Sequence, residues 1–299
     1  MRRLADIEDN LRQDLRLLAD YEHLLRLATD PIERMKYQSA IDRLKSSIAS
    51  SESEKQDLLS SRLGLPETTA EPQSSQPRMI ITRDEREMVL VAGGQFLFGA
   101  ERTIVFLPKP YYIDRYPVTN ADYRHFLDQT QRPAPGHWPD GALLPGSERH
   151  PAVGLTYSEA LCYAEWTGRR LPTEQEWEKA TRGTDGRLWP YGHQFVERSS
   201  HPIWRQAYAM RSTTDVGLFT PHGDSPYGVG DVGHVWEWTS TWYEYRRYKA
   251  VRGGAWRDLN EPALVINRSF EDDRAHDVGF RCVCDVAKVG AIIAAVISN

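Results

Sequence analysis

Apolar side chains recur at three- and four-residue steps through the first 63 residues of the chain. This period places them on one face of an α-helix. In the first predicted helix the stripe is Leu4, Ile7, Leu11, Leu15, Leu18 and Leu25. In the second predicted helix it is Tyr37, Ile41, Leu44 and Ile48. Asp30 caps the second helix, since Pro31 suits the first helical position and Glu33 lies three residues after the cap. The pattern predicts an α-helical hairpin over residues 1–64.

Two antiparallel helices of this length bury little surface by themselves. We therefore expect the hairpin to pack against a copy of itself, a partner protein or the rest of the chain. One interpretation is an oligomerisation module. The other is an adaptor that recruits an effector protein, because the hairpin resembles the small helical modules that begin bacterial conflict-system proteins.

Residues 65–78 have the sequence LPETTAEPQSSQPR, which is rich in Pro, Ser, Thr, Glu and Gln. This composition cannot form a core, so it predicts an extended linker. All nine tryptophans follow the linker, between Trp138 and Trp256. The abrupt change in composition predicts a second, aromatic-rich domain over residues 79–299.

Alternating apolar residues predict strands at the start of this second domain. Met88–Phe98 alternates around Gly93 and predicts a β-hairpin, and Tyr111–Val118 predicts a single strand. Three helix starts follow, each with a hydroxyl side chain as cap: Thr119, Thr156 or Ser158, and Thr173. Glu176 completes a capping box with the third. Glu178 follows Glu176 too closely on a helix for the two carboxylates to converge on one bond, so we expect structural roles for them.

Overall composition is that of a soluble globular protein, with 40% hydrophobic and 26% charged residues. The net charge of −5 disfavours a nucleic-acid partner, which would call for a basic face. No apolar run reaches the ~18–20 residues of a membrane span, and the charged N-terminus lacks the apolar core of a signal peptide. We expect a cytoplasmic protein. The apolar stretch Val289–Asn299 is interpreted as a buried segment or a docking peptide.

Cysteine is scarce, with only Cys162, Cys282 and Cys284 in the chain. A secreted disulfide scaffold would contain more cysteines, in even number. Cys282 and Cys284 would point the same way on a strand and could meet a metal. We interpret them instead as small buried residues.

Six blocks of sequence carry a resemblance to a known family. They are GGQFLFG (Gly93–Gly99), YYIDRYPVTNADY (Tyr111–Tyr123), His150–Gly183, GVGDVGHVWEWTSTWY (Gly228–Tyr243), VRGGAW (Val251–Trp256) and DVGFRCV (Asp277–Val283). Together they resemble the formylglycine-generating-enzyme/sulfatase-modifying-factor family, a branch of the C-type-lectin fold. The resemblance implies an α+β domain of C-type-lectin fold, preceded here by the N-terminal α-helical hairpin.

In the enzymes of this family, two cysteines after the RGG motif bind copper and activate oxygen. Copper(I) requires such soft thiolate ligands. The matching positions here lie near Asp258 and Ala263, and the segment RDLNEPALVINRSFEDDRAH contains no cysteine. The resemblance therefore implies the fold without the oxidase activity, and we expect no catalytic residues.

The block Gly233–Trp238 matches the family's GNVWEW motif, with His234 in place of asparagine. In relatives this region helps to bind calcium, which suits hard oxygen donors. The resemblance implies a calcium site at Gly233, Val235 and Glu237. The alternative is that Glu237 is a buried carboxylate bound by an arginine or by backbone amides.

The segment after Arg252 also resembles the variable proteins of diversity-generating retroelements. Their lectin-type domains carry RGG[SA]W, a variable run, [AV]NR, another variable run and a final GFR; this chain has Arg252–Trp256, Ile266–Arg268, Arg274 and Val278–Arg281 at those places. The residues between these anchors would be displayed as ligand-binding positions. They are Arg257, Asp258, Leu259, Glu261, Pro262, Ser269, Phe270, Glu271, Asp272, Ala275, His276 and Asp277.

The sequence thus favours a non-enzymatic binding protein whose recognition surface sits on a rigid lectin-type frame. The expected ligand is a protein, and the setting is a retroelement-diversified sensor in a bacterial conflict system. Two alternatives remain. One is a formylglycine-generating oxidoreductase with a displaced active site. The other is a catalytically silent paralogue that binds peptides with the sulfatase motif.

Overall fold

A computed structural model describes residues 77–192, 212–218, 220–243, 248–255, 268–271 and 276–297, together with single positions between Ile7 and Ser51. The chain divides into two compact units, Met1–Pro72 and Gln73–Asn299. The predicted linker lies almost wholly outside the described residues. The predicted boundaries at 64 and 79 therefore stay a prediction.

In the N-terminal unit every described position is helical. The rings of Tyr21 and Tyr37 lie 6.2 Å apart. The hydroxyl of Ser47 donates a hydrogen bond of 2.9 Å to the carboxylate of Asp14. Ile7 and Ile41, one from each predicted stripe, are buried. Four other stripe residues are half-buried: Leu25, Tyr37, Leu44 and Ile48. Leu4, Leu11, Leu15 and Leu18 lie outside the described residues.

The C-terminal unit combines strands with three α-helices and two short 3₁₀ turns in the part of the chain that the structure describes. The strands are β1 Met79–Thr82, β2 Glu87–Val91, β3 Gly94–Phe98, β4 Thr103–Leu107, β5 Tyr111–Asp114, β6 Trp236–Tyr243, β7 Tyr248–Arg252, β8 Arg268–Glu271, β9 Val278–Gly279, β10 Val283–Asp285 and β11 Ile293–Ile297. The helices are α1 Asn120–Thr130, α2 Tyr157–Trp166 and α3 Glu174–Arg182. The 3₁₀ turns are Pro139–Gly141 and Val286–Ala291. No helix among these residues is long and apolar enough to cross a membrane.

The strands form three sheets. The largest has the order β10–β5–β2–β1–β11 and is antiparallel throughout. A second has the order β8–β7–β6–β9, in which only the β6–β9 pair is parallel among the described strands. The third is the β3–β4 ribbon. Mixed helix and sheet of this kind confirms the α+β class.

Two predictions about strands were wrong. Met88–Phe98 does form two strands, but β2 lies between β1 and β5, whereas β3 pairs with β4. A strand buried on both faces, as β2 largely is, needs a central place in a sheet and cannot remain half of an isolated hairpin. The strand predicted over Tyr111–Val118 ends at Asp114. The neighbouring strand β2 begins at Glu87, whose carbonyl accepts the N–H of Arg115, so the ladder has no further partner there. Pro117 then has no backbone donor with which to continue a strand.

The predicted helix caps are confirmed. Each α-helix begins with a capping box in which a threonine and an acidic residue three positions later bond to each other's backbone: Thr119 with Asp122, Thr156 with Glu159, and Thr173 with Glu176. Gly168, after α2, takes a positive φ of 73°. A helix commonly ends at a glycine in this conformation.

Three hydrophobic clusters hold the unit together. The first joins α1 and α2 to the four-stranded sheet and contains Tyr123, Phe126, Tyr163, Trp238 and Phe280. The second lies between the five-stranded sheet and α3 and includes Trp177 and Ala180. The third covers the opposite face of the five-stranded sheet. Helix α3 therefore packs against the five-stranded sheet, and its polar side chains also contact the four-stranded sheet.

Candidate ligand-binding surface

Arg252, the first residue of the RGG motif, ends β7 and is 1% exposed. Its guanidinium forms an ion pair with Glu178 on α3 and lies 3.5 Å from the carboxylate of Glu174. It also lies over the ring of Trp177, at 5.6 Å from the centroid. Breaking one partner of a buried pair costs about 3–5 kcal/mol. Arg252 is therefore fixed to α3 at the point where the chain enters the predicted display segment.

Glu178 ties this anchor to the β3–β4 ribbon. One carboxylate oxygen binds Arg252, and the other accepts 2.6 Å bonds from Arg182 and from the backbone N–H of Gly99. Arg182 in turn donates to the carbonyls of Leu97 and Gly99. Glu178 thus has a structural role, as the sequence predicts, and points away from the Glu176 carboxylate, which binds Arg170.

A second buried network holds the residue that closes the display segment. Arg281 is fully buried and grips Glu237 of β6 with two bonds, of 2.6 and 2.7 Å. It also donates to the backbone carbonyls of Asp114, Arg115 and Gly230. Five charge-assisted bonds from one guanidinium satisfy its full donor set.

The two networks meet at Trp177. Its indole N–H donates 2.8 Å to the same Glu237 oxygen that accepts from Arg281, while its ring lies under Arg252. Gly253 adopts a φ of +106°, and a Cβ there would approach the Trp177 ring to 3.3 Å. A glycine after Arg252 is therefore required both by backbone conformation and by space.

Glu237 is where the resemblance implies calcium. Both of its carboxylate oxygens accept hydrogen bonds, from Arg281 and Trp177, and the arginine neutralises the charge that a cation would need. This arrangement fits the alternative of an arginine-bound carboxylate and fits calcium poorly. Calcium binding at Gly233, Val235 and Glu237 stays a prediction.

The neighbouring His234, which replaces the family's asparagine, is fully buried. Its Nε2 accepts a 3.0 Å bond from the backbone N–H of Thr214, so the ring proton sits on Nδ1. Burial lowers the pKa of His234 to about 3. Asp231, three residues earlier, accepts a 2.6 Å bond from the N–H of Gly217, and burial raises its pKa to about 7. Both side chains fasten the segment around residues 213–217 to the block before β6.

Much of the predicted display surface lies outside the described residues. This holds for Arg257, Asp258, Leu259, Glu261, Pro262, Asp272 and Ala275, and for the predicted anchors Trp256 and Asn267. Ser269, Phe270 and Glu271 lie on β8. His276 is exposed and Asp277 half-buried, both just before β9. The structure places β8 and β9 at the two edges of the four-stranded sheet, so these groups are separated by β7 and β6.

Two residues that the sequence did not single out, Trp242 and Lys249, share a register row with the predicted display position Glu271. Trp242 of β6 and Lys249 of β7 are cross-strand partners, and Glu271 of β8 takes the next position in the same register row. The Lys249 ammonium lies 3.7 Å from the Trp242 centroid and 4.5 Å from that of Tyr157. Burial lowers the pKa of Lys249. Trp242 is 49% exposed. The sequence signal was its place near the end of an aromatic strand, where a tryptophan could face either core or solvent.

The cysteines do not form a metal site in the described residues. Cys282 packs in the first hydrophobic cluster and Cys284 in the third. Burial raises the pKa of both thiols. Cys162 is half-buried on α2. The interpretation of Cys282 and Cys284 as small buried residues is confirmed, and no thiolate pair is available for copper.

The chain is similar to known proteins both in sequence and in fold. The sulfatase-modifying factor enzyme 1-like domain family matches residues 74–286. The chain belongs to this family. Solved structures agree on the fold. PvdO from Pseudomonas aeruginosa is 24% identical, with a TM-score of 0.57 over 71% of this chain and 100% of that one. Treponema denticola variable protein 1 is 18% identical, with a TM-score of 0.51 over 67% and 98%.

Curated relatives within the sulfatase-modifying factor family include both silent and active proteins. The inactive C-alpha-formylglycine-generating enzyme 2 of Mus musculus is 30% identical over 67% of this chain and 86% of its own. The formylglycine-generating enzyme of Thermomonospora curvata is 29% identical over 64% and 80%. YfmG of Bacillus subtilis, an uncharacterised protein, is 29% identical over 68% of this chain, which spans 55% of its length.

Proposed function

We propose that this chain is a non-enzymatic ligand-binding protein of the sulfatase-modifying factor family. Its recognition surface is the segment between Arg252 and Arg281. One observation carries the proposal: both residues that bound this segment are held in buried ion-pair networks, and these networks meet at Trp177. A frame fixed at both ends supports changes of side chain between the ends without loss of fold.

The chemistry of the segment suits a protein ligand. It mixes charged, apolar and aromatic residues, and Phe270 is the aromatic side chain that we expect to anchor a partner. Trp242 of β6 lies two strands from β8 and adds a half-exposed aromatic ring to this surface. Aromatic residues with one exposed face contribute strongly to binding. Diversification of the segment by a retroelement, in a sensor of a bacterial conflict system, is the biological setting that the anchor sequences support.

The cysteine content supports a lack of oxidase activity. The three cysteines lie at positions 162, 282 and 284, and none lies in the stretch Arg257–His276 that follows the RGG motif. Inactive paralogues exist in the family, which fits this proposal. Formylglycine-generating enzymes among the relatives keep the alternative of a displaced active site. Aldehyde formed on a cysteine-containing sulfatase peptide with copper(I) and oxygen would establish that alternative.

The proposal includes the N-terminal unit, which we infer to be an α-helical hairpin. The Tyr21–Tyr37 and Asp14–Ser47 contacts each join the first predicted helix to the second, with sequence separations expected of an antiparallel pair. The hairpin would self-associate or bind an effector protein, and so couple recognition to a response. The proposal places the protein in the cytoplasm without cofactor or nucleic-acid partner.

Selection of peptides from a random phage-displayed library on the purified full chain tests the binding surface. We expect enriched peptides to lose binding to a variant with alanine at Asp258, Glu261, Phe270 and His276. They should keep binding to a matched variant with alanine at the exposed apolar residues Ile104, Phe106 and Leu144. Peptides that bind both variants equally would show that the segment is not the recognition surface.

A further inference from the structure

Strand β11 is an edge strand of unusual composition. It lies at the end of the five-stranded sheet, beside β1. The stretch Val289–Asn299 that contains it has no charged residue. Ala294, Ala295 and Val296 are all exposed, and Val296 is 50% exposed. Natural edge strands are usually protected from pairing by lysine, proline or a covering element, and β11 contains neither of these residues.

The opposite edge of the same sheet is closed. Arg170 pairs with Val283 of β10 through two backbone bonds, of 3.0 and 2.8 Å. Its side chain also binds Asp285 at 2.7 Å. By contrast, no described residue outside β1 exchanges a backbone bond with Ile293–Ile297. An outward row of backbone donors and acceptors is thus available on β11.

The sequence of β11 is nearly the same in both directions, Ile-Ala-Ala-Val-Ile. If two copies pair antiparallel around Ala295, Ile293 lies opposite Ile297, and Ala294 lies opposite Val296. Every cross-strand pair is then apolar, with small residues beside branched ones and no like charges opposed. The pairing with β1 is regular from Ile81 to Met79, opposite Ala295 to Ile297, so the strand is extended where the second copy would join.

We propose that two copies of this chain associate through β11, related by a two-fold axis at Ala295. The two five-stranded sheets become one continuous sheet across the interface. Val296 lies opposite Ile80, which belongs to the third hydrophobic cluster. Association would extend that cluster from one copy into the next and cover the exposed half of Val296.

Disulfide trapping in the full chain tests the axis. Ala295→Cys places two thiols across it, and mild oxidation should yield mostly cross-linked dimer on a non-reducing gel. Phe106→Cys, on the exposed face of β4, is the matched control and should remain monomeric on the gel. The native cysteines are buried or half-buried, and the unsubstituted chain gives their background. Cross-linking of Ala295→Cys no greater than that of Phe106→Cys would overturn the proposal.

Solution mass provides the second measurement. Val296→Lys puts like charges at the interface and should lower the mass measured by light scattering, with an unchanged circular-dichroism spectrum. Phe106→Lys adds the same charge at another exposed apolar site and should leave the mass unchanged. Two results would reject a second copy as the partner of β11. The first is a monomeric unsubstituted chain, which is expected if other residues or another protein cover the strand. The second is a mass that Val296→Lys does not change.

Discussion

At the scale of single residues, four buried charged side chains hold the framework of the C-terminal unit together. Arg252, Arg281, Glu178 and Glu237 are each at most 1% exposed, and every carboxylate among them binds an arginine. A buried charge without a partner destabilises the fold far more than a paired one. Removing any one of these residues therefore leaves its partner as an uncompensated buried charge. They belong to the framework, and two of them, Arg252 and Arg281, lie at the two ends of the predicted display segment.

Arg281→Ala should leave Glu237 buried without its guanidinium partner. We expect a loss of about 3–5 kcal/mol in the free energy of unfolding, measured by urea denaturation. The control is Arg124→Ala, since Arg124 pairs with Asp128 on the exposed surface of α1. That change should cost about 1–2 kcal/mol, because it removes this exposed pair and a 2.9 Å bond to the carbonyl of Gly141. Equal costs for the two variants would contradict the anchor role of Arg281.

His234 gives a prediction about pH. Its imidazole is neutral in the folded protein, because burial lowers its pKa to about 3, whereas the pKa of a histidine in the unfolded chain is about 6.5. The contribution of neutral His234 to the free energy of unfolding is therefore present above the unfolded pKa of about 6.5 and is lost as the pH falls toward the folded pKa of about 3. Between pH 7 and pH 5 the loss should be about 2 kcal/mol.

The His234→Asn variant has no histidine to protonate at this position and should not show this loss. Its free energy of unfolding should therefore rise relative to that of the unsubstituted protein as the pH falls. Asp231 titrates in the opposite direction, since its raised pKa contributes stability that fades as pH rises toward about 7. It is present in both proteins and cancels in the comparison. Parallel pH profiles would show that His234 is not held neutral.

At the scale of elements, the sequence predicted what depends on local chemistry. Thr119, Thr156 and Thr173 cap their helices because a hydroxyl and an acid three residues later suffice to define a start. It failed where partners are distant. Alternation over Met88–Phe98 identified two strands, yet which strand pairs with β2 is decided by β1 and β5, and no local signal shows this.

The same limit applies to the candidate site. The RGG and GFR motifs predict both anchors, whereas the sequence predicts only a structural role for Glu178 and no role for Trp177. Their side chains reach Arg252 and Glu237 across 74 and 60 positions of sequence. Trp242 was missed because a strand alternates two faces, and only the packing shows which of them meets solvent.

Trp238 and Trp242 lie on one strand and test this distinction. Trp238 is 1% exposed, and its indole donates to the carbonyl of Leu155. Trp238→Ala should cost about 3–5 kcal/mol. Trp242→Ala removes an exposed ring and one cation–π contact, and should cost no more than about 1 kcal/mol. Thermal unfolding of both variants measures the difference, and a reversed order would show that the core is misassigned.

At the scale of the whole molecule, two compact units divide the work that we propose. The C-terminal unit, Gln73–Asn299, contains all three hydrophobic clusters. It therefore has a core of its own. A helical N-terminal unit is suited to assembly or recruitment, and the edge strand β11 offers a separate route to association.

Deletion of residues 1–64 should leave a folded C-terminal unit, with its near-ultraviolet circular dichroism and cooperative unfolding retained. Solution mass should fall beyond the mass of the deleted segment if the hairpin self-associates, or a partner interaction should be lost. A truncated protein that does not fold would show that the two units share one core.

The central claim is that recognition and stability reside in different residues. Its most direct test is the thermal midpoint of a variant with alanine at five display positions, namely Asp258, Leu259, Glu261, Glu271 and His276. Exposed changes away from special features cost within about 0.5 kcal/mol each, and one kcal/mol shifts the midpoint of a domain of this size by roughly 2–4 °C. We predict a cooperative transition within about 10 °C of that of the unsubstituted chain. A variant that is unfolded at 25 °C would contradict the claim, because the segment would then be part of the core.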